Sequence, residues 1–270
     1  DNRVLRLIGD PETRYREDPV RMLRAARLAA KLDFAIGPEA ARPLARLGPL
    51  LEDAPPARLF DETLKLFLTG HGLASLQRLR EHELLGHLFP VTATALAHDP
   101  QGHYADLLER GLANSDRRVA ESKSVTPAFL LALLLWGEVR HRAERAIEDG
   151  ESVALAWQQA SAEVIREQSR RVAMPRRFVY AMEEIWALQL RFDDRRRKRV
   201  LRLLDHPRFR AAYDFLLMRK GESAQIAEAG RWWTEAQELP REELARSLES
   251  SPSGTKRKRR RRPRKASGNG

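Results

Sequence analysis

Apolar residues recur every three or four positions along most of the chain, which is the spacing of one face of an α-helix. The recurring positions are Met22, Ala25, Ala26, Ala29 and Leu32 in a first segment, and Leu59, Leu64, Phe67 and Leu68 in a later one. No segment shows the convincing alternation of apolar and polar residues that a half-buried β-strand would show between turn signals. The pattern therefore predicts an all-α fold without a sheet.

Proline and glycine mark the predicted helix boundaries. Asp10 and Pro11 suit the N-cap and the first position of a helix that runs to about residue 32. Pro38 begins a second helix, and a third follows Pro55-Pro56 and ends at Gly70. Further helices are predicted at 72–84, 102–114, 126–148, 151–172, 175–192, 194–204, 207–219 and 222–237.

The net charge of +11 is concentrated at one end of the chain. Residues 251–270 contain nine of the 49 lysines and arginines and no acidic residue, so residues 1–250 carry 40 basic and 38 acidic side chains. A segment with uncompensated charge and few apolar residues stays disordered and attracts polyanions such as phosphate backbones. We therefore predict a disordered basic tail at 241–270, preceded by helical residues 1–240.

Composition excludes several classes of protein. The chain contains no cysteine, so it has neither disulfides nor thiolate metal sites. The longest apolar run, 128–136, is too short to span a bilayer and predicts a buried helix. The first ten residues contain no apolar signal region, so a cytoplasmic protein without membrane contact is expected. The chain begins with Asp1 instead of methionine, as a fragment of a longer protein would.

Three arginines form a row in the first helical segment. Arg21, Arg24 and Arg27 are spaced by three residues, so they spread over about a third of the helix circumference. Basic side chains early in a helix oppose its dipole unless an anion lies nearby, and forked guanidinium donors suit phosphate, ribose and base edges. The same spacing also fits a solvated basic face with Asp18 as a cap before Pro19. The spacing alone leaves both interpretations open.

The segment GDPETRYREDPVRMLRAARLAAKL, followed by PPARLFDETLKLF, resembles the neck domain of class II template-independent nucleotidyltransferases. It is most similar to bacterial poly(A) polymerases, with the tRNA CCA-adding enzymes as relatives. The resemblance continues through LFP, PAFLLALLLW, RRVAMPRRF, HPRFRAAYD and the tail, so it covers nearly the whole chain. The first two motifs are highly specific, and the later ones favour the poly(A) branch. The resemblance implies a helical neck at 1–75 and a helical body at 76–240.

The resemblance implies roles for individual residues. In this family a Glu-Asp-x-x-Arg element reads the base of the incoming nucleotide, and here it begins at Glu17. Asp18 and Arg21 would then present an acceptor and a donor to the base edge, so that a wrong base leaves buried polar groups unpaired. Arg24 and Arg27 match further nucleotide-contacting arginines. Residues expected to orient this set without contacting substrate are Glu17, Arg58 and Glu62.

The catalytic domain of this family carries a Gly-Ser loop, an Asp-x-Asp metal pair and a third acidic position ahead of the neck. The sequence contains none of these, although two-metal phosphoryl transfer needs such carboxylates. Asp193-Asp194 is directly followed by five basic residues, which indicates charge neutralisation at a helix start. The histidines lack zinc-site spacing. We therefore predict no catalytic residue and no metal ligand in this chain, with ATP as a substrate and Mg²⁺ bound only by the catalytic domain.

Two basic segments are candidates for RNA binding, one in the body and one in the tail. The candidates are Arg195, Arg196, Arg197, Lys198, Arg199, Lys256, Arg257, Lys258, Arg259, Arg260, Arg261, Arg262, Arg264 and Lys265. The body segment fits an ordinary amphipathic helix equally well. Trp232-Trp233 could stack on bases, but adjacent residues face different sides of a helix, so at least one of them should belong to the core.

The resulting prediction is the neck, body and tail of a poly(A) polymerase, which adds untemplated adenylates to RNA 3′ ends. The partner would be RNA, and the sequence makes no prediction of the oligomeric state. Two alternatives remain open at this point. One is a tRNA CCA-adding enzyme, distinguished by its use of CTP as well as ATP. The other is a non-catalytic RNA-binding module, since the chain as given contains no metal-binding aspartates of the expected kind.

Overall fold

A computed structural model describes residues 3–250, without the side chain of Ser250. The predicted all-α fold is confirmed, because nearly every regular element in this range is a helix. The first helices are α1 (Pro11–Glu17), α2 (Val20–Leu32), α3 (Pro38–Ala41), α4 (Leu44–Leu47), α5 (Pro56–Phe67), α6 (Gly72–Glu81), α7 (Leu85–Leu88) and α8 (Pro90–Ala97). The later ones are α9 (His103–Ala120), α10 (Pro127–Glu148), α11 (Val153–Arg171), α12 (Arg176–Gln189), α13 (Arg197–Leu204), α14 (Phe209–Met218), α15 (Ala224–Glu238) and α16 (Arg241–Ser250). Short 3-10 turns occupy Gly48–Asp53 and Arg219–Gly221.

A short parallel pairing joins β1 (Val4–Leu5) to β2 (Ala35–Ile36), with Val4 opposite Ala35. The expectation of no sheet is wrong for these four residues. Two-residue strands are too short to show an alternating pattern, so periodicity could not reveal them. The pairing holds the start of the chain beside the end of α2.

The first predicted helix is two helices separated at Asp18-Pro19. Asp18 has extended backbone angles, φ −150° and ψ 93°, because the ring of a following proline disfavours the helical conformation. The predicted cap is confirmed, since the Thr13 backbone N–H donates to the Asp10 carboxylate at 2.8 Å. Tyr15 anchors α1 by donating its hydroxyl to the Ala40 carbonyl at 3.1 Å, and burial raises its pKa to about 12.

Other boundaries also differ from the prediction. The helix expected from Pro38 is divided into α3, α4 and a 3-10 turn, and α7 and α8 were not predicted. The predicted start of the disordered tail at residue 241 is wrong, because 241–250 is helix α16. Leu244 of α16 is buried in a core, and Arg241 donates twice to the Asp205 carboxylate at 2.6 Å. One buried leucine and one bidentate ion pair thus hold a segment that has few apolar residues.

The apolar side chains form two clusters. One runs from Tyr15 to Phe215 around α10, whose residues 128–136 are all buried as predicted. This cluster contains residues from both sides of residue 75, so the predicted neck and body share one core. The division between neck and body remains a prediction. The second cluster is built by α12 to α16, from Leu188 to Leu244. Among the residues that the structure describes, no helix is long and apolar enough to cross a bilayer.

A buried polar network joins the two clusters. The Arg219 guanidinium donates to Glu222 at 2.8 Å and to the Gln189 side-chain oxygen at 3.1 Å, and lies 4.5 Å from the Trp136 ring centroid. Trp136 in turn donates its indole N–H to Glu222 at 2.9 Å. Because these groups satisfy one another, the network fixes the 3-10 turn Arg219–Gly221 and the following Glu222 against α10 and α12.

Candidate nucleotide and RNA site

Helices α2 and α5 pack side by side through their apolar faces. Met22, Leu23 and Ala26 of α2 and Leu59 and Leu66 of α5 are buried in the larger cluster. At helical spacing, the polar stripe of each helix then lies along the edge of this contact. The arginine row of α2 is therefore brought beside the polar residues of α5.

Asp18 is held between these two helices. Arg58 of α5 donates Nη2 to Asp18 Oδ2 at 2.8 Å, and the backbone N–H of Val20 donates to Oδ1 at 3.3 Å. Arg21 Nε lies 3.8 Å from the same Oδ2, while Arg21 Nη1 binds Glu17 at 3.3 Å. Asp18 is largely buried and Arg21 is partly exposed, so a fixed acceptor stands next to an accessible donor.

Glu62 of α5 organises the next turn of α2. Its carboxylate is 2% exposed and lies 3.5 Å from Arg24 Nε, 3.8 Å from Arg27 Nε and 2.9 Å from Lys65 Nζ. The 3.8 Å separation is too long for a hydrogen bond. Arg27 Nε and Glu62 Oε2 are accordingly buried without a hydrogen-bond partner among the described residues. Arg27 thus has a buried donor free for another acceptor.

These ion pairs define what we call the neck cluster. Its members are Arg14, Glu17, Asp18, Arg21, Arg24, Arg27, Arg58, Glu62 and Lys65. Six are basic and three are acidic, so the cluster has an excess of positive charge. It combines three carboxylates held by arginines with several partly exposed guanidinium groups. Such an arrangement suits an anion that also carries hydrogen-bonding edges, as a nucleotide does.

Sequence reasoning missed two members of the neck cluster. Lys65 lies three residues after Glu62 and binds it, and Arg14 lies three residues before Glu17 and binds it at 2.8 Å. The i,i+3 spacing of opposite charges on a helix was the available signal. The nucleotide-contacting and orienting roles of the predicted residues remain predictions, although the structure brings all seven of them together.

The basic segment of the body is largely neutralised. Arg195 binds Glu228, and Arg197 Nε lies 3.2 Å from Glu249. Arg196 donates its Nε at 2.7 Å to Asp194, and its hydrogen bonds hold the pKa of Asp194 below its ordinary value. This supports the interpretation of Asp194 as a charge-neutralising residue. The proposed RNA-tracking role of Arg195–Arg199 remains a prediction.

The two tryptophans differ as expected. Trp233 is fully buried and donates its indole N–H to the Phe192 carbonyl at 2.8 Å, which confirms that one of the pair belongs to the core. Trp232 is partly buried, and the Arg195 guanidinium lies 5.0 Å from its ring centroid. The tail candidates, residues 256–265, lie outside the described residues. Between residues 3 and 250, no group of three or more His, Asp or Glu side chains could hold a metal ion.

A basic patch on a folded domain is the electrostatic sign of a protein that binds nucleic acid, and the neck cluster is such a patch on a helical fold. Residues 33–96 match a family model described as the probable RNA and SrmB-binding site of polymerase A. Residues 149–266 match the polymerase A arginine-rich C-terminus. The chain therefore belongs to the bacterial poly(A) polymerase family.

Individual relatives agree with this assignment. The chain is 42% identical over 266 residues to Poly(A) polymerase I of Salmonella typhi, covering 97% of this chain and 57% of that protein. It is 40% identical over 235 residues to Poly(A) polymerase I of Haemophilus influenzae, covering 86% of this chain and 52% of the relative. A CCA-adding enzyme of Streptococcus thermophilus is 35% identical over 133 residues, covering 49% of this chain and 31% of that enzyme. The chain thus spans little more than half the length of the poly(A) polymerases it matches.

A solved structure shares the fold. The apo form 2 of a tRNA-processing enzyme superposes with a TM-score of 0.56 and 19% identity, over 91% of this chain and 64% of the other. At this identity the likeness concerns the fold alone.

Proposed function

We propose that this chain is the nucleotide-selecting and RNA-binding portion of a poly(A) polymerase that adds adenylates from ATP to RNA 3′ ends. The observation that carries the proposal is the neck cluster, in which Arg58 fixes the Asp18 carboxylate beside the accessible Arg21 guanidinium. The 42% identity to Poly(A) polymerase I along 97% of the chain supports the same function. A role in RNA processing and decay and a cytoplasmic location follow as expectations.

Base selection follows from the order of acceptor and donor. Adenine presents an amino donor beside a ring-nitrogen acceptor, so Asp18 would accept from the amino group while Arg21 donates to the ring nitrogen. Guanine and uracil present the opposite order and would leave both protein groups unpaired. An unpaired buried group costs about 1–3 kcal/mol, and more when it is charged. Discrimination of this kind is strong without requiring any change in pocket size.

Cytosine presents the same order as adenine, with an amino donor beside a ring acceptor. The Asp18–Arg21 pair by itself therefore does not separate ATP from CTP. This observation keeps a CCA-adding enzyme as the second candidate. The similarity to Poly(A) polymerase I along nearly the whole chain favours the first candidate, since the CCA-adding relative matches only 49% of it.

ATP fits the neck cluster, because the buried Arg27 Nε lacks a hydrogen-bond partner and the basic residues outnumber the acidic ones. Arg24 and Arg27 would donate to the nucleotide, and Glu62 would hold their side chains in position. A pair of catalytic Mg²⁺ ions does not fit the described residues, because no suitable group of carboxylates is present there. We expect the chemical step to depend on carboxylates of a separate catalytic domain.

The proposal is tested in a polypeptide that joins this chain to the nucleotidyltransferase domain of a Poly(A) polymerase I relative. The values of kcat/KM for ATP, CTP, GTP and UTP are compared for the parent and the Arg21→Ala variant. We expect the preference for ATP over GTP to fall at least about tenfold, as loss of a charge-assisted hydrogen bond implies. Arg16→Ala is the matched control, since Arg16 is an exposed arginine of α1 that binds Glu12.

The results separate the hypotheses. Equal nucleotide preference in the Arg21→Ala and Arg16→Ala variants would show that Arg21 does not read the base. Efficient addition of cytidylates by the parent would support the CCA-adding alternative. Loss of folding in the Arg21→Ala variant, measured by circular dichroism, would identify Arg21 as a structural residue.

A further inference from the structure

A cavity of about 460 Å³ lies between α9, α10, α12 and α14, away from the neck cluster. It falls in the size range of small-molecule sites. Its lining is in two parts, an apolar floor and a rim of arginines. The floor includes Phe129, Phe178, Ala181 and Ile185, and the rim carries Arg118, Arg177, Arg208 and Arg210. The residues matched by the RNA and SrmB-binding family model end at 96, before any of these.

The floor is held rigidly by packing from behind. Ile185 and Phe129 are buried, and Phe129 packs edge-on against Phe215 with 6.1 Å between ring centroids. Phe178 stacks on Phe60 of α5, also at 6.1 Å. Because close-packed aromatic rings have few alternative positions, these contacts restrict how the side chains of the floor can move.

The rim has positive charge that the residues described by the structure neutralise only in part. Arg208 binds Glu184 at 3.1 Å, and Arg210 binds Asp214 at 3.0 Å. Arg118 donates only to the Ser124 carbonyl, and Arg177 lies over the Phe178 ring at 4.7 Å from its centroid. Within the described part of the chain, neither Arg118 nor Arg177 has a carboxylate within ion-pair distance. The occupant is therefore expected to be an anion with an apolar, planar part.

The cavity is connected to the neck cluster through one helix. Phe60, which supports Phe178, lies between Arg58 and Glu62 in the sequence of α5. Residues two apart on a helix point about 200° apart, so Phe60 faces the side of α5 opposite to the neck cluster. Phe60 thus joins the floor of the cavity to the helix that carries Arg58 and Glu62.

We propose that the cavity binds one unstacked nucleotide of single-stranded RNA, upstream of the 3′ end. The base lies against Phe178, the partly exposed ring of the floor, and the adjoining phosphates lie against Arg118 and Arg177. Aromatic floors and arginine rims are the usual means by which proteins bind single strands. The basic tail of this chain is excluded as the occupant because it carries the same charge as the rim. This inference rests on the proposed function in so far as RNA is the ligand.

The test uses the full 270-residue chain and a fluorescently labelled single-stranded oligoadenylate, with affinity measured by anisotropy at a fixed salt concentration. Arg177→Glu is the primary variant, and Arg176→Glu is the matched control. Both arginines are exposed neighbours at the start of α12, but only Arg177 lines the cavity. We expect Arg177→Glu to weaken binding about tenfold more than Arg176→Glu. Equal losses would overturn the proposal, because they would reflect net charge alone.

A second measurement locates the base directly. An oligoadenylate containing 8-azidoadenosine is photocrosslinked to the chain, and the modified peptides are identified by mass spectrometry. Crosslinks to peptides containing Phe129 or Phe178, reduced by Arg177→Glu and not by Arg176→Glu, would support the proposal. Crosslinks confined to the neck cluster or the tail would overturn it.

Two further outcomes are distinguished. An acidic peptide containing an aromatic residue could occupy the same cavity. If such a peptide binds and Arg177→Glu abolishes its binding while RNA affinity is unchanged, the cavity is a protein-binding site and the RNA proposal fails. Failure of the proposed function would give a third result, distinct from an RNA site and from a protein-binding site at the cavity. The parent chain would then bind no RNA, and Arg21→Ala would not alter nucleotide preference.

Discussion

Replacing Glu62 by glutamine is the most informative single change in the neck cluster. Glu62→Gln keeps the shape of the side chain and removes its charge. The carboxylate is almost completely buried and faces Arg24, Arg27 and Lys65 within 4 Å, so the variant leaves three cations without their shared anion. We expect the protein to be less stable and the arginine row to lose its fixed position.

The magnitude can be worked from the burial of the partners. Removing one member of a fully buried ion pair costs about 3–5 kcal/mol. Here the three cations are 23–51% exposed, so water screens them and they can turn outward. We therefore expect a loss of about 1–3 kcal/mol in the free energy of unfolding. For a chain of this size this corresponds to a Tm lower by roughly 3–10 °C.

Urea unfolding followed by far-ultraviolet circular dichroism measures the effect. Asp61→Asn is the matched control, because Asp61 is the neighbouring residue on α5, loses the same charge and is exposed. The deficit of Glu62→Gln should shrink at high salt, since the remaining cations repel one another less when screened. A free energy of unfolding equal to that of Asp61→Asn would refute the inference that Glu62 organises the arginine row.

Three further predictions concern the tail, acid stability and activity. Deleting residues 251–270 should reduce the slope of log RNA affinity against log salt concentration by up to roughly six, since each neutralised phosphate contributes about 0.7 to that slope. An unchanged slope would contradict the role of the tail. Hydrogen bonds from Arg171 and His87 lower the pKa of Glu52 below its ordinary value of 4.5. The ionised Glu52 therefore stabilises the fold above pH 4.5, and this stabilisation is lost as the pH falls through the lower pKa of the folded state. Urea unfolding between pH 6 and about pH 3 should accordingly show a shallower decline for Glu52→Gln than for the parent; identical profiles would remove Glu52 from the explanation. The chain incubated with Mg²⁺, ATP and labelled RNA should add no adenylates on a sequencing gel, whereas extension abolished by Asp193→Ala would reveal an active site within it.

The sequence by itself determined the helical class and much of the local structure. The period of apolar residues is set within a few turns of helix, and Asp10 caps α1 through a residue only three positions away. The nucleotide-binding candidates came from the resemblance of the motif beginning at Glu17 to the neck of a known family, since the spacing of the arginines alone left two interpretations open. Asp18-Pro19 was also a local signal of the break between α1 and α2. The continuous helical spacing of the apolar residues that follow led instead to the prediction of a single helix.

Only the tertiary structure decided which charges meet and which remain unpaired. Arg58 and Asp18 are 40 residues apart, and their 2.8 Å hydrogen bond depends on how α2 and α5 pack. Within residues 3–250, packing also leaves Arg177 without a carboxylate in ion-pair distance and forms a cavity between four helices. Periodicity describes the faces of one helix at a time, whereas these features arise where side chains from distant helices come together, so no local pattern contains them.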